Sequence, residues 1–227
     1  MNQQNIINAL DLATAAYRNV QPHTPHSLTM MINEHKMDIQ CFLRRYNDVL
    51  TITFRGSDSH RDWKTNLSFF KKTVPYGNNQ SKIRVHSGFL NAYKTPVVRD
   101  RLHKTITPDI NFIKINGHSL GAALAVLCAV DLQYHFPELD IETYLFGCPR
   151  VGNREFVHSY NKRVTKTVRV ENGNDIVTKL PFSLMNYHHV GALIHIGKTR
   201  LPFVYSPLDH YPHKYYSSLL TAFFIRN

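Results

Sequence analysis

The stretch NFIKINGHSLGAALAVLCAV, residues 111–130, constrains the fold of this chain more than any other. Its first part alternates apolar and other residues as a strand does. Its last part is a longer run of small and apolar residues suited to a buried helix. Gly117-His118-Ser119-Leu120-Gly121 joins the two. So short a join needs a sharp turn, and the glycines leave room for it and for close strand–helix packing. A serine at the tip of such a turn is a candidate nucleophile. The uncharged run Gly121 to Val130 covers ten residues, too few to cross a bilayer.

The rest of the chain continues the alternation. Residues 38–45 and 48–55, joined through Tyr46-Asn47, read as a hairpin. Phe89, Tyr93, Val97 and Leu102 predict a helix over about 89–105. Strand 112–116, helix 119–135, strand 141–146, helix 153–161 and strand 164–170 follow. A last strand near 189–196 precedes a C-terminal helix from about Asp209. Such a series implies parallel βαβ units, hence an α/β protein with helices on both faces of its sheet. No repeat or composition break divides residues 1–227, which read as a single domain. Ile6, Ile7, Leu10, Ala13 and Tyr17 give the N-terminus the spacing of an amphipathic helix rather than a secretory signal. Cys41, Cys128 and Cys148 are odd in number and lack a CxxC pair, so they read as reduced core thiols in an intracellular protein.

A serine hydroxyl attacks effectively only with a base in hydrogen-bond reach and a carboxylate to orient that base. On a strand–turn–helix join of this kind, acid and then histidine follow the serine in the chain. Asp175 lies in ENGNDIVTKLP, past the strand KTVRV, where a functional loop belongs. Glu171 competes with it from the end of that strand. Among the later histidines, His195 falls in a strand pattern, His188 and His189 at a strand start, and His213 reads as solvated surface. His210, in SPLDHYPHKYY at the entry to the last helix, suits a base. An oxyanion needs two preset N–H donors. Leu120, next to the serine, supplies one; Ser57 in TFRGSDS is the candidate for the other, with Gly56 allowing close approach.

Taken in order, LDLATAAY, TITFRGSDSHRDWKTNL, VHSGFLNAY, GHSLGAALAVL, LFGCPRVGNREF, RVENGNDIVTKLPF, YHHVG and DHYPHKYY resemble segments of the class 3 lipases, the fungal-lipase-like branch of the α/β-hydrolases. The resemblance implies an α/β-hydrolase fold with a mostly parallel central sheet. It implies Ser119 as nucleophile, Asp175 as orienting acid, His210 as base, and Ser57 and Leu120 as the oxyanion hole, with a structural role for His189. Ile176 and Thr178 depart from the family, standing where prolines are frequent, and the secreted fungal members carry disulfides that this chain is not expected to form. The implied activity is that of a serine carboxylester hydrolase (lipase) cleaving acylglycerols or related lipid esters through an acyl-enzyme, with no metal and no organic cofactor. A phospholipase A1 acting on anionic phospholipids and a non-catalytic lipid-binding hydrolase fold are the alternatives.

Lys and Arg number 27 against 16 Asp and Glu, a net charge of +11 without any long block of like charges. A field of that kind favours an anionic membrane or lipid-droplet surface as partner over nucleic acid. Segment 58–71 is a candidate lid; its residues 60–71, read as a helix, set Trp63, Leu67 and Phe70 on one stripe, with His60, Arg61, Lys64, Ser68 and Lys71 elsewhere around it. It reads either as a surface helix packed on the core or as a lid that opens at a lipid surface.

Overall fold

The computed structural model describes residues 2–18, 25–57, 71–73, 80–199 and 204–225. In chain order the strands are β1 (Leu28–Glu34), β2 (Ile39–Tyr46), β3 (Val49–Phe54), β4 (Lys71–Thr73), β5 (Arg84–His86), β6 (Phe112–His118), β7 (Asp140–Phe146), β8 (Lys166–Asn172) and β9 (Ala192–Ile196). All but β4 and β5, which pair with each other, form a seven-stranded sheet in the order β1-β2-β3-β6-β7-β8-β9. The first three strands are antiparallel neighbours, and every pairing from β3 to β9 is parallel. This is the mostly parallel α/β-hydrolase sheet that the sequence leads one to expect.

The helices are α1 (Gln3–Ala15), α2 (Ser87–Tyr93), α3 (Arg99–Thr105), α4 (Leu120–His135), α5 (Arg154–Arg163) and α6 (Pro212–Leu220). Strand alternation sends successive side chains to opposite faces, so β7 contributes to two cores. Ile141 and Leu145 join the cluster built on α2, α3, α4 and α5. Tyr144 and Phe146 join the one built on α1 and α6. Helix α4 is buried from Gly121 to Leu132, as a helix that is apolar all round must be.

Three elements differ from the expectation. The helix expected over 89–105 is two, α2 and α3, because Pro96 between them has no N–H to donate and its ring opposes the carbonyl one turn back. Strand β1 was not anticipated: its first four residues are exposed, so an edge strand shows no clean alternation. The last helix begins at Pro212, after a single turn over Leu208–His210. Of the candidate lid, residues 58–70, including Trp63, Leu67 and Phe70, lie outside the described residues; Lys71 opens β4. No described helix is long and apolar enough to cross a membrane.

Candidate active site

The join after β6 is the expected turn. Ser119 has φ 59° and ψ −127°, a conformation that side chains other than glycine rarely adopt and that is found mostly where function demands it. Its N–H donates to the Phe146 carbonyl at 2.9 Å, which ties the turn to the end of β7. The flanking glycines are required by close backbone approach. A Cβ on Gly117 would lie 2.5 Å from the Gly121 carbonyl, and one on Gly121 would strike the Phe54 carbonyl at the end of β3. The start of α4 therefore sits against the end of β3. Leu120 and Ser57, the two proposed oxyanion donors, leave these adjoining ends, because Phe54 is in register with Gly117.

Two loops at the carboxyl ends of the parallel strands, after β8 and after β9, bring the other groups to Ser119. His210 Nε2 lies 2.8 Å from Ser119 Oγ, and His210 Nδ1 lies 2.8 Å from Asp175 Oδ2. Nδ1–H donates to the carboxylate, which leaves Nε2 to accept from the serine. All three are buried, Ser119 at 7%, His210 at 3% and Asp175 at 1% exposure. Asp175 also accepts from Tyr215 O–H on Oδ2 at 2.6 Å and from Val177 N–H on Oδ1 at 2.8 Å. Glu171, the competing acid, is bound elsewhere, to Arg169 and to Lys179. His213 is exposed and stacks on Tyr211, with ring centroids 5.6 Å apart.

Residues that sequence reasoning did not single out hold this line in place. His118 Nε2–H donates to the His210 carbonyl at 2.8 Å, leaving Nδ1 to accept from Tyr17 O–H at 2.8 Å. The His118 ring lies over that of His210 with centroids 4.6 Å apart. Tyr17 O–H in turn occupies the space that a Cβ on Gly56 would take, so this brace also touches the oxyanion loop. Asp209 ties the histidine loop to the acid loop: its carboxylate accepts from Asn174 N–H at 3.0 Å and its carbonyl from Asn172 Nδ2 at 2.8 Å. The adjacency of Asp209 to His210 was the only sequence signal for it.

Gly147 packs directly on the line. It has φ 56°, and a Cβ there would lie 2.9 Å from His210 Cε1 and 3.1 Å from Asp175 Oδ2. Gly147→Ala should therefore displace the imidazole. We expect kcat to fall by about a hundredfold, the usual penalty for misplacing a reacting group by an ångström, with a smaller effect on KM; steady-state kinetics on a soluble ester checks it.

The other histidines near the acid loop, His188, His189 and His195, make structural hydrogen bonds. His195 Nε2 bonds the Gly173 carbonyl at 2.9 Å, and His188 bonds Asn186 at 3.0 Å. His189 donates to the Thr178 carbonyl at 2.7 Å, while Thr178 Oγ1 donates to the Asp175 carbonyl, so His189 braces the acid loop. Burial first, then the charges of Arg169 and Arg150, push its pKa down to about 2. Burial likewise lowers that of His86, which caps α2, to about 4. Both are neutral in the folded protein and charged in the unfolded chain below about pH 6.5. The unfolded state then binds more protons, so stability is full above that pH and is lost as pH falls below it. His189→Asn should reduce the drop in melting temperature between pH 7 and pH 5; an unchanged drop would count against this origin.

Among the described residues, one group has metal-ligand spacing: His103, Asp131 and His135. Asp131 already accepts from Arg99 at 3.0 Å through each oxygen, from Tyr93 at 2.8 Å and from His103 at 2.7 Å. With a guanidinium on the carboxylate, the cluster is an ion-pair network joining α3 to α4. The three cysteines are free and buried, and burial raises their thiol pKa values.

With this geometry in hand, comparison with known proteins is decisive about ancestry. The family model described as Lipase (class 3) matches residues 51–185, more than half of the chain. The chain belongs to the class 3 lipase family. Among relatives, "Phospholipase A(1) DAD1, chloroplastic" of Arabidopsis thaliana is 34% identical over 149 residues, covering 58% of this chain and 33% of the relative. "Secreted mono- and diacylglycerol lipase 1" of Fusarium solani is 33% identical over 144 residues, covering 62% of this chain and 41% of the relative. The alignments thus span well under half the length of these curated relatives. Among solved structures, the triacylglyceride lipase of Rhizomucor miehei superposes with a TM-score of 0.78 at 26% identity, covering 91% of this chain and 92% of that one. In the family's terms, Ser119 stands at the turn after β6, Asp175 after β8 and His210 after β9.

Proposed function

We propose that this chain is a serine carboxylester hydrolase acting on acylglycerols or related lipid esters. The observation that carries the reading is the buried hydrogen-bonded line from Ser119 through His210 to Asp175. His210 Nε2 takes the hydroxyl proton as Ser119 Oγ attacks the ester carbonyl. The N–H groups of Ser57 and Leu120 face the charge that develops on the carbonyl oxygen. His210 returns the proton to the leaving alcohol, and the acyl-enzyme is released by water activated by the same imidazole. Asp175 keeps the proton on Nδ1 throughout and stabilises the imidazolium.

A phospholipase A1 is the second reading, supported by the surface next to the acid loop. Phe182, Leu184 and Met185 are exposed there, Leu184 at 99%. Burial and then the charges of Arg154, Arg150 and Lys71 lower the pKa of the neighbouring His188. Lys71 also bonds the Met185 carbonyl and lies 4.4 Å above the Tyr187 ring. Apolar side chains beside clustered cations suit an anionic lipid surface. Segment 58–71 is proposed as a lid.

The test is hydrolysis of acyl esters of rising chain length, and of phosphatidylglycerol vesicles, by wild type and Ser119→Ala in parallel. Ser119-dependent turnover of long-chain acylglycerols supports the first reading, and faster turnover of the vesicles supports the second. Turnover confined to short soluble esters would make the protein an esterase, and no Ser119-dependent turnover would leave a lipid-binding fold.

A further inference from the structure

Beneath α1 the sheet breaks its own rule. The face of β3 and β6 turned to α4 carries Ile52, Ile113 and Ile115, all fully buried. The opposite face of the same strands should be equally apolar, since a helix covers it. Instead it carries two polar rows. Arg44, Thr51, Lys114 and Glu142 are in register across β2, β3, β6 and β7. Thr53, Asn116 and Tyr144 form the next row. Helix α1 answers with Asn5 and Asn8, one turn apart, and with Arg44, Thr51, Lys114, Asn116 and Tyr144 of the two rows they line a cavity of about 120 Å³. Such departures from apolar patterning are expected where a site is built.

The lining of this cavity holds two cations, Arg44 and Lys114, and no carboxylate. Glu142, the nearest carboxylate in the row, is occupied by Tyr144 O–H at 2.6 Å. Lys114 forms no ion pair among the described residues and rests 5.7 Å from the Phe112 ring. Arg44 is partly buried, and burial lowers its pKa. Asn116 is 1% exposed, and its Oδ1 is buried without a partner. Buried polar groups ordinarily make their hydrogen bonds within the protein; this oxygen, an acceptor, makes none and suits an O–H group on a ligand. The Asn8 carbonyl oxygen accepts from Gln4 at 2.8 Å, which leaves its amide N–H groups available. Leu12 and Val49 supply an apolar end.

We propose that this cavity is a binding site for a small organic oxyanion, a carboxylate or a phosphate monoester, held by Lys114, Arg44, Thr51 and the amide N–H groups of Asn8, with a ligand O–H donating to Asn116 Oδ1. Two cations with no carboxylate in the lining set the sign of the ligand. The apolar end accommodates its carbon chain. Ser119, His210 and Asp175 are not among the residues that line it, so the site stands apart from the reaction and does not depend on the ester-hydrolase reading.

The experiment is calorimetric titration of wild type and Lys114→Met with inorganic phosphate, glycerol 3-phosphate and butyrate, at ionic strength fixed with chloride to hold screening constant. One-to-one binding of at least one oxyanion is expected in wild type, weakened tenfold or more in Lys114→Met. Tighter binding of the phosphates identifies a phosphate ligand, and tighter binding of butyrate a carboxylate. Melting temperature confirms that the variant folds, and neither readout requires turnover. Equal affinity in the two proteins, or no saturable heat from any probe at tens of millimolar, would overturn the proposal.

Discussion

Ser119→Ala should lower kcat by about a millionfold on any ester the wild type turns over, as removal of the nucleophile does in other serine hydrolases. Its melting curve should be almost unchanged, since a buried hydroxyl is lost without leaving a large void. A glycine at the same position separates function from stability more sharply. The backbone of Ser119, at φ 59° and ψ −127°, stores strain of about 1–3 kcal/mol in a residue with a Cβ. Glycine relieves it and gives back about 0.5–1 kcal/mol through the freedom of its unfolded chain. Ser119→Gly should therefore be inactive yet about 1 kcal/mol more stable, read as a higher denaturant midpoint at unchanged m-value. A midpoint below that of wild type would mean that the turn is not strained, and presentation of the serine would then need another explanation.

The parts of the fold legible in the sequence are those where pattern and burial agree. Strand β6 and helix α4 are long, apolar and bounded by glycines that backbone contacts demand. Their positions follow from residues 111–130 alone. The edge strand β1 was hidden because its exposed residues include Leu28, Met30 and Met31, so exposure and polarity do not coincide. The break between α2 and α3 was legible at Pro96 but was overridden by apolar spacing across it.

Within the site, the residues that meet across 91 and 35 positions of chain, Ser119 with His210 and His210 with Asp175, were found through the fixed order of parts in this kind of fold. The braces were not. Tyr17 and His118 are separated by 101 positions, and neither has a local pattern that marks it as a partner of the other. Gly147 offers no signal either: only the packed structure shows that the imidazole and the carboxylate leave no room for a methyl group. Spacing finds residues that share an element, whereas braces of this kind come from elements meeting in three dimensions.

Asp175→Asn should lower kcat by about ten-thousandfold while leaving the fold intact, and the neighbours of Asp175 explain why an isosteric change is so costly. The carboxylate accepts on both oxygens, from Val177 N–H on one and from His210 Nδ1–H and Tyr215 O–H on the other. An amide can satisfy only one side. If its oxygen remains toward Val177, its NH₂ faces His210, and the imidazole must turn Nδ1 into an acceptor and carry its proton on Nε2. A protonated Nε2 cannot take the proton of Ser119, which is the wrong-tautomer defect known to cost about that factor. Tyr215 can adapt, because a hydroxyl also accepts, so nothing on that side opposes the turn. If the amide flips, NH₂ meets the Val177 N–H, and two buried donors face each other at a cost of about 1–3 kcal/mol. The first orientation is therefore favoured. Activity that recovers as pH rises, with hydroxide taking the serine proton in place of the imidazole, would support the tautomer origin. A uniform loss at every pH with a lowered melting temperature would point instead to collapse of the acid loop.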